Sequence, residues 1–220
     1  MALPTFQAVG AGSETSCAWP THAIDDLAIL AVEYGGGTVA TPTGFTIFPC
    51  SPILSNSLMA LFYRKATSTT EAAAALSGGS DHMWGVISTF RGVDTTNPIH
   101  AVAVYGRLGA TTAAKMPGLY TRVADCHVAY FLSWDIDSAG PIASAPVSAD
   151  LASVTERYDE GTLTGNGGGL IVITGDRATA GEVRMGTLTI TSSSHGVFSV
   201  ALQPPQAAAG GAGRILIGAM

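Results

Sequence analysis

Cys126 and His127 stand side by side, the residue types of a thiolate–imidazole nucleophile. They open a segment of alternating apolar residues, and neighbours on a strand point to opposite faces, so the imidazole is not placed to activate the thiol. Both read as core residues. Asp135 and Asp137, in Trp134-Asp-Ile-Asp137, do share a face, and that spacing suits a Ca2+ ion or acid–base work; at a strand end they read more simply as surface acids. Ser80-Asp81-His82 brings together three triad residue types, but a triad is assembled from separate segments, and no Gly-x-Ser-x-Gly elbow is present. Asp81 reads as a turn before a strand opening at Met83. The run Gly165-Asn-Gly-Gly-Gly169 lacks a following Gly-Lys-Ser/Thr and reads as a hairpin turn, for which Asn-Gly is a strong signal.

His22, His100 and His195 are scattered singly, without HxH or HExxH spacing for a metal. Cys17, Cys50 and Cys126 are odd in number and widely spaced, as reduced and mostly buried thiols would be. No catalytic residue, cofactor or metal ligand is expected, and the chain reads as a non-enzyme. Arg64, Arg91 and Arg107 end strand candidates beside apolar partners, where ion pairs with Glu33, Asp94 or Asp125 are expected. Arg outnumbers Lys eight to two, a weak pointer to subunit interfaces.

The elements that would position these residues are short β-type segments divided by Gly, Pro, Ser, Thr and Asn: 27–34, 44–48, 58–66, 83–93, 100–108, 119–123, 127–136, 169–174, 185–191 and 196–202. Such spacing predicts an all-β, two-sheet antiparallel β-sandwich, jelly-roll-like, with at most one short helix. Asp25 and Asp26 mark the polar start of the first strong strand. In 126–136, Cys126, Val128, Tyr130, Leu132, Trp134 and Ile136 form an apolar face opposite a more mixed one, which predicts one face on a core. Segments 27–32 and 58–63 are apolar on both faces, as in central strands or strands covered by a second layer or a neighbour. The helix candidate is 68–76, with Ser68 and Glu71 spaced as a capping box and Gly78-Gly79 ending it.

One sandwich domain is expected over residues 1–205, with an N-terminal arm and a connection over 138–153 that crosses between sheets. Residues 206–220 read as a flexible tail with an apolar, strand-like end. There Arg214, Ile215, Leu216 and Ile217 are the candidate interface residues, adding to a neighbour's sheet or folding back as an edge strand.

The 220 residues are 47% hydrophobic and 12% charged, with a formal net charge of -6, which excludes global disorder. Scattered basic residues form no phosphate-neutralising stripe, so no nucleic acid is expected as a partner. No run approaches the ~20 apolar residues of a membrane helix, and the N-terminus has no secretory pattern. The chain is expected to stay where it is made, or to leave inside something larger.

Several segments occur in a telling order: Asp26-Leu-Ala-Ile-Leu-Ala-Val32, Thr41-Pro-Thr-Gly-Phe-Thr-Ile47, Leu61-Phe-Tyr-Arg-Lys-Ala-Thr67, Ser80-Asp-His82 with Thr89-Phe-Arg-Gly-Val93, and the stretch from His127 to Asp137. The ordered set, from about Asp25 to Pro205, resembles tailed-bacteriophage virion structural proteins of β-sandwich (jelly-roll) type, head decoration or minor tail accessory proteins. The chain departs from that pattern at Ile24-Asp-Asp26, where a glycine before Asp is absent, and at Phe62-Tyr63, where Trp is common. The resemblance implies a structural part of a virus particle, assembled in the host cytoplasm and carried in the virion. It implies no catalytic residue. Its partners would be copies of itself, as a homotrimer, and other virion proteins such as the major capsid or tail proteins. The alternative is a glycan-binding adhesin module of a phage tail, with Trp19, Trp84, Trp134, Tyr120 and Tyr158 available to stack on sugar rings. A cell-wall hydrolase needs a carboxylate pair across a groove, which only sequence-distant acids would supply.

Overall fold

The computed structural model describes residues 2–146 and 148–206. The chain forms two five-stranded antiparallel sheets. The first joins β1 (Thr5–Val9), β3 (Leu27–Gly37), β4 (Thr46–Ile47), β5 (Leu58–Lys65) and β7 (Gly79–Arg91) in the order β1-β7-β3-β5-β4. The second joins β8 (Ile99–Met116), β10 (Cys126–Trp134), β11 (Ala152–Thr162), β12 (Gly168–Arg177) and β14 (Gly186–Leu202) in the order β11-β12-β10-β14-β8. Two small ribbons pair β2 (Ser16–Cys17) with β6 (Ala74–Ala75), and β9 (Leu119–Thr121) with β13 (Gly181–Val183). The expected β-sandwich is present. Within it the chain completes one sheet before it starts the other.

Burial is layered. Leu27, Ile29, Leu61 and Phe90 of the first sheet meet Ala129, Phe131, Val172 and Phe198 of the second between the sheets. The alternate residues Ala28, Leu30, Val32 and Phe62 pack outward against Cys17, Phe45, Ala74 and Leu76. On the second sheet, Val128, Tyr130, Leu132 and Trp134 pack outward against Ala114, Met116, Leu188, Ile142 and Leu151. Strands that read as apolar on both faces are therefore covered on both by segments of their own chain, which removes the apolar surface from water at ~25 cal/mol per Å2.

Five expectations are corrected. The more apolar face of β10 looks outward, and the mixed face meets the other sheet. Period-two alternation tells that two faces differ, but not which layer covers each. The polar groups on the inner side are partnered: His127 Nδ1 lies 2.8 Å from Asp176 Oδ1, and Ser133 Oγ donates to the Ser57 carbonyl at 3.3 Å. Residues 68–76 form no helix. The Glu71 carboxylate instead accepts from the Thr67 and Ser68 amides, at 2.6 and 3.1 Å, and pairs with Arg64 at 2.7 Å. Tertiary pairing of Ala74–Ala75 with Ser16–Cys17 then outweighs the alanines' helix propensity.

The connection over 138–153 does not cross between sheets, since it joins β10 to β11 of the same sheet; the N-terminal arm is β1, laddered on β7. Finally, β14 runs unbroken through Ser192-Ser-Ser194, where two strands were expected. Register shifts on either side of Ser193 absorb the extra length as a bulge. The distal half of the β8–β14 ribbon thereby supplies Ala114, Met116 and Leu188 to the cover over its own sheet.

Candidate functional site

Chemistry-bearing side chains gather where the turn between β11 and β12 meets the ends of β3 and β7. Gly165 and Gly167 take positive φ in that turn, as the Asn-Gly hairpin reading requires. Glu33 is the one acid inside the apolar strand Leu27–Tyr34, and it is 1% exposed. Gly168 opposes it from the second sheet, so close that a Cβ there would sit on the carboxylate. His82 on β7 places Nε2 at 3.0 Å from Glu33 Oε2 and Nδ1 at 2.8 Å from Asp81 Oδ2. Asp81 Oδ2 also accepts from the Asn166 amide at 3.0 Å.

Burial raises the Glu33 carboxyl to about 7, against the opposing pull of His82. The hydrogen bond and charge of Glu33, with those of Asp81, raise His82 to about 9 in spite of desolvation. A protonated imidazole between two carboxylates has both nitrogens engaged as donors and no lone pair for base catalysis. The ion pair ties β3 to β7 within the first sheet, and Asp81 links it to the β11–β12 turn of the second through the Asn166 amide.

Other cross-sheet bonds gather beside it. Trp84 Nε1 donates to Tyr158 Oη at 2.9 Å, and Thr164 Oγ1 donates to Glu14 at 2.6 Å, with Thr162 donating to the same carboxylate. These hydrogen bonds hold Glu14 below the usual carboxylate range.

Ser80-Asp81-His82 thus contributes two of its members to a real cluster; the strand opens at Gly79 rather than Met83, so Asp81, at positive φ, lies in a bulge of β7 and not in a turn before it. The third member is Glu33, not Ser80. Its signal was present in the sequence as a lone acid within a doubly apolar strand, a position that demands a buried partner. Asp135 caps the β14 bulge, accepting from Ser193 Oγ at 2.9 Å, the Ser194 amide at 3.1 Å, and Ser194 Oγ. Asp137 lies against Gly167. Among the described residues, no group of three or more His, Cys, Asp or Glu is arranged to hold a metal ion.

Cys126 and His127 are both buried; the thiol donates to the Val123 carbonyl and the imidazole pairs with Asp176. Burial lifts the thiols of Cys17 and Cys126 to about 12 and about 11, while Cys50 is exposed. Arg64 goes to Glu71, Arg91 forms a two-pronged pair with Asp26 at 2.9 and 2.7 Å, and Arg107 donates to the Gly109 carbonyl. Of the aromatic candidates, Trp134 and Tyr158 are buried and Trp84 is tied to Tyr158. Tyr120 stands 62% exposed, between a groove of about 550 Å3 beside His100 and Arg122 and another of about 390 Å3 beside Glu182 and Met185.

Among the described residues, two surfaces present outer strands. β8 is an outer strand of its sheet along Ile99–Met116, carries only Arg107 and Lys115 as charges, and exposes Leu108. Exposed Leu54 lies nearby, where Asn56 donates to the Leu108 carbonyl. On the opposite side, β1 and β11 are the outer strands of the two sheets, and a groove of about 620 Å3 runs between them. Glu156, Arg157, Asp159 and Glu160 line it, with residues 139–141 lying along the β11 side. Burial, then the neighbouring Asp159 charge, raises the Glu156 carboxyl; burial with the Glu160 charge raises Asp159 against its two amide donors.

The candidate interface residues Arg214, Ile215, Leu216 and Ile217 lie outside the described residues. No family model matches the chain, and neither a curated protein nor a solved structure matches it.

Proposed function

We propose that this chain is a structural component of a tailed-phage particle, a head decoration (cement) or minor tail protein that acts through protein–protein contacts and performs no catalysis. The observation that carries this reading is the outer edge of β8. It is an 18-residue strand that no other strand flanks on its outer side among the described residues, with two charges and with Leu108 and Leu54 exposed. Single-chain proteins usually shorten, charge or cover such edges, because they template pairing with another chain. A part built for contact keeps them. The chain's own coverage of both sheets makes a stiff block, and Glu33 and His82 spend their titratable groups on an ion pair inside it.

In a particle the partners would be copies of the same chain, as a homotrimer, and capsid or tail proteins, with the C-terminal segment clamping a neighbour. Particles assembled with the chain truncated after Pro204 test this. Loss of incorporation is expected, and normal incorporation removes the clamp. Imaging the particle with the subunit labelled places it on head or tail, and a particle devoid of label overturns the assignment.

The second reading, a glycan-binding adhesin module of a phage tail, draws on Tyr120, whose exposed ring between two grooves suits stacking on a sugar. A glycan array silent at high protein concentration ends that option.

A further inference from the structure

We propose that the groove beside Tyr120 and Arg122 binds a sugar that bears a carboxylate, a uronic or sialic acid, its ring stacked on Tyr120 and its carboxylate on the Arg122 guanidinium. This rests on the adhesin reading above and names its sugar class; the contact-protein reading does not depend on it.

The local sequence puts the two groups on one face. Along Leu119-Tyr-Thr-Arg122 burial alternates: Leu119 and Thr121 are buried, Tyr120 and Arg122 exposed, as successive side chains on a strand require. Residues two apart on a strand are ~7 Å from each other, and both of these line the same groove of about 550 Å3. One sugar ring with a carboxylate on its edge spans that separation. The backbone between them is pinned. Thr121 Oγ1 donates to the Gly181 carbonyl and accepts from the Gly181 amide, both at 3.2 Å. The Arg122 amide donates to His100 Nε2 at 2.8 Å, which leaves the ring proton on Nδ1 to donate to Gln203 Oε1 at 2.9 Å. His100 thus has both nitrogens engaged and holds the rim in place.

The two groups facing the groove are the ones left unengaged. Among the described residues, neither the Tyr120 hydroxyl nor the Arg122 guanidinium has a hydrogen-bond or ion-pair partner. Arg64, Arg91, Arg107, Arg157, Arg177 and Arg184 all have one. A free guanidinium presents a planar fork of donors that a carboxylate accepts bidentately, with one charge balancing the other. A phosphate ester carries about two charges and would leave one unbalanced.

The ring selects the carrier. Exposed Tyr120 offers an apolar plate without an enclosure. A fully apolar ligand needs a concave site that buries most of its surface, whereas a pyranose lays one C–H face on the plate and keeps its hydroxyls in water. Glu182, opposite Tyr120 on β13, lines the groove on the ring's other side, where its charge repels an anion and directs the carboxylate to Arg122.

A glycan array of matched pairs, probed with the full chain, tests the site: sialyllactose against lactose, and tetragalacturonate against its methyl ester. The acid of at least one pair is expected to bind about tenfold or more tightly than its neutral partner, and the pair that responds identifies the acid. Tyr120→Ala and Arg122→Gln are each expected to lose about tenfold of that binding, and Tyr120→Phe to stay within about threefold. A thermal melt checks that each variant folds. Acid-selective binding that survives both Tyr120→Ala and Arg122→Gln overturns the groove and leaves the adhesin reading standing. Binding of neutral glycans alone overturns the carboxylate class and also leaves that reading standing. An array silent at high protein concentration removes the site and the adhesin reading together.

Discussion

His82 and Glu33 set a pH dependence whose direction follows from their environments. Both groups hold their proton more tightly in the folded chain: Glu33 from its ordinary 4.5 to about 7, chiefly through burial, and His82 from 6.5 to about 9, chiefly through Glu33. At these two sites the folded state therefore binds more protons than the unfolded one between about pH 4.5 and 9, while burial lowers His127 and His195 and so offsets part of the effect. Stability is expected to fall as pH rises through that window, by at most ~1.4 kcal/mol per pH unit for each extra proton. Denaturant midpoints across pH 5–9 check this, and a flat profile contradicts it. Replacing both residues, as Glu33→Gln with His82→Gln, should remove this fall and leave the opposite trend of buried His127 and His195. His82→Ala alone leaves Glu33 buried without its cation and is expected to cost about 3 kcal/mol, read from the same denaturation curves.

The β14 bulge shows how one residue sets an element. Ser192-Ser-Ser194 has turn composition, so the sequence suggests a break, yet Asp135 from the neighbouring strand satisfies the bulge and carries the ribbon through. Asp135→Ala is expected to destabilise the fold by ~2 kcal/mol, because two hydroxyls and an amide lose a charged acceptor. It should also speed amide exchange over Gly186–Ile190 more than over Val197–Leu202. Equal acceleration in both halves contradicts the cap.

What was legible here was strand periodicity, which local residue types display. What was hidden was pairing across the sequence. β11 shows no strand periodicity because Glu156, Arg157, Asp159 and Glu160 give it the look of a loop, although an outer strand tolerates charge. The Glu71 loop reads as a helix because its capping-box spacing is the same in a carboxylate-stapled turn. For the site, His82 and Asp81 were visible as a local pair, whereas Glu33 lies 49 residues away from His82 and joins them only through the fold.

At the scale of the molecule, layering makes a distinct prediction. Were β10 covered on one face only, truncating the inner Phe131 would be costly and truncating the outer Trp134 cheap. Both side chains are fully buried, so Phe131→Ala and Trp134→Ala are each expected to cost ~3–5 kcal/mol in chemical denaturation. A Trp134→Ala loss below 1 kcal/mol would show that the outer cover closes loosely.

The division of the sheets by halves of the chain also bears on synthesis. Every ladder bond of the first sheet is made within residues 5–91, so that sheet can close while the second half is still being translated. Its oily underside, with Leu27, Ile29, Leu61 and Phe90, then waits for Phe131, Val172 and Phe198 to emerge. For that interval the nascent chain carries a finished sheet with one uncapped side, and the ribosome's pace over the second half decides how long a chaperone or a sister chain has access to it.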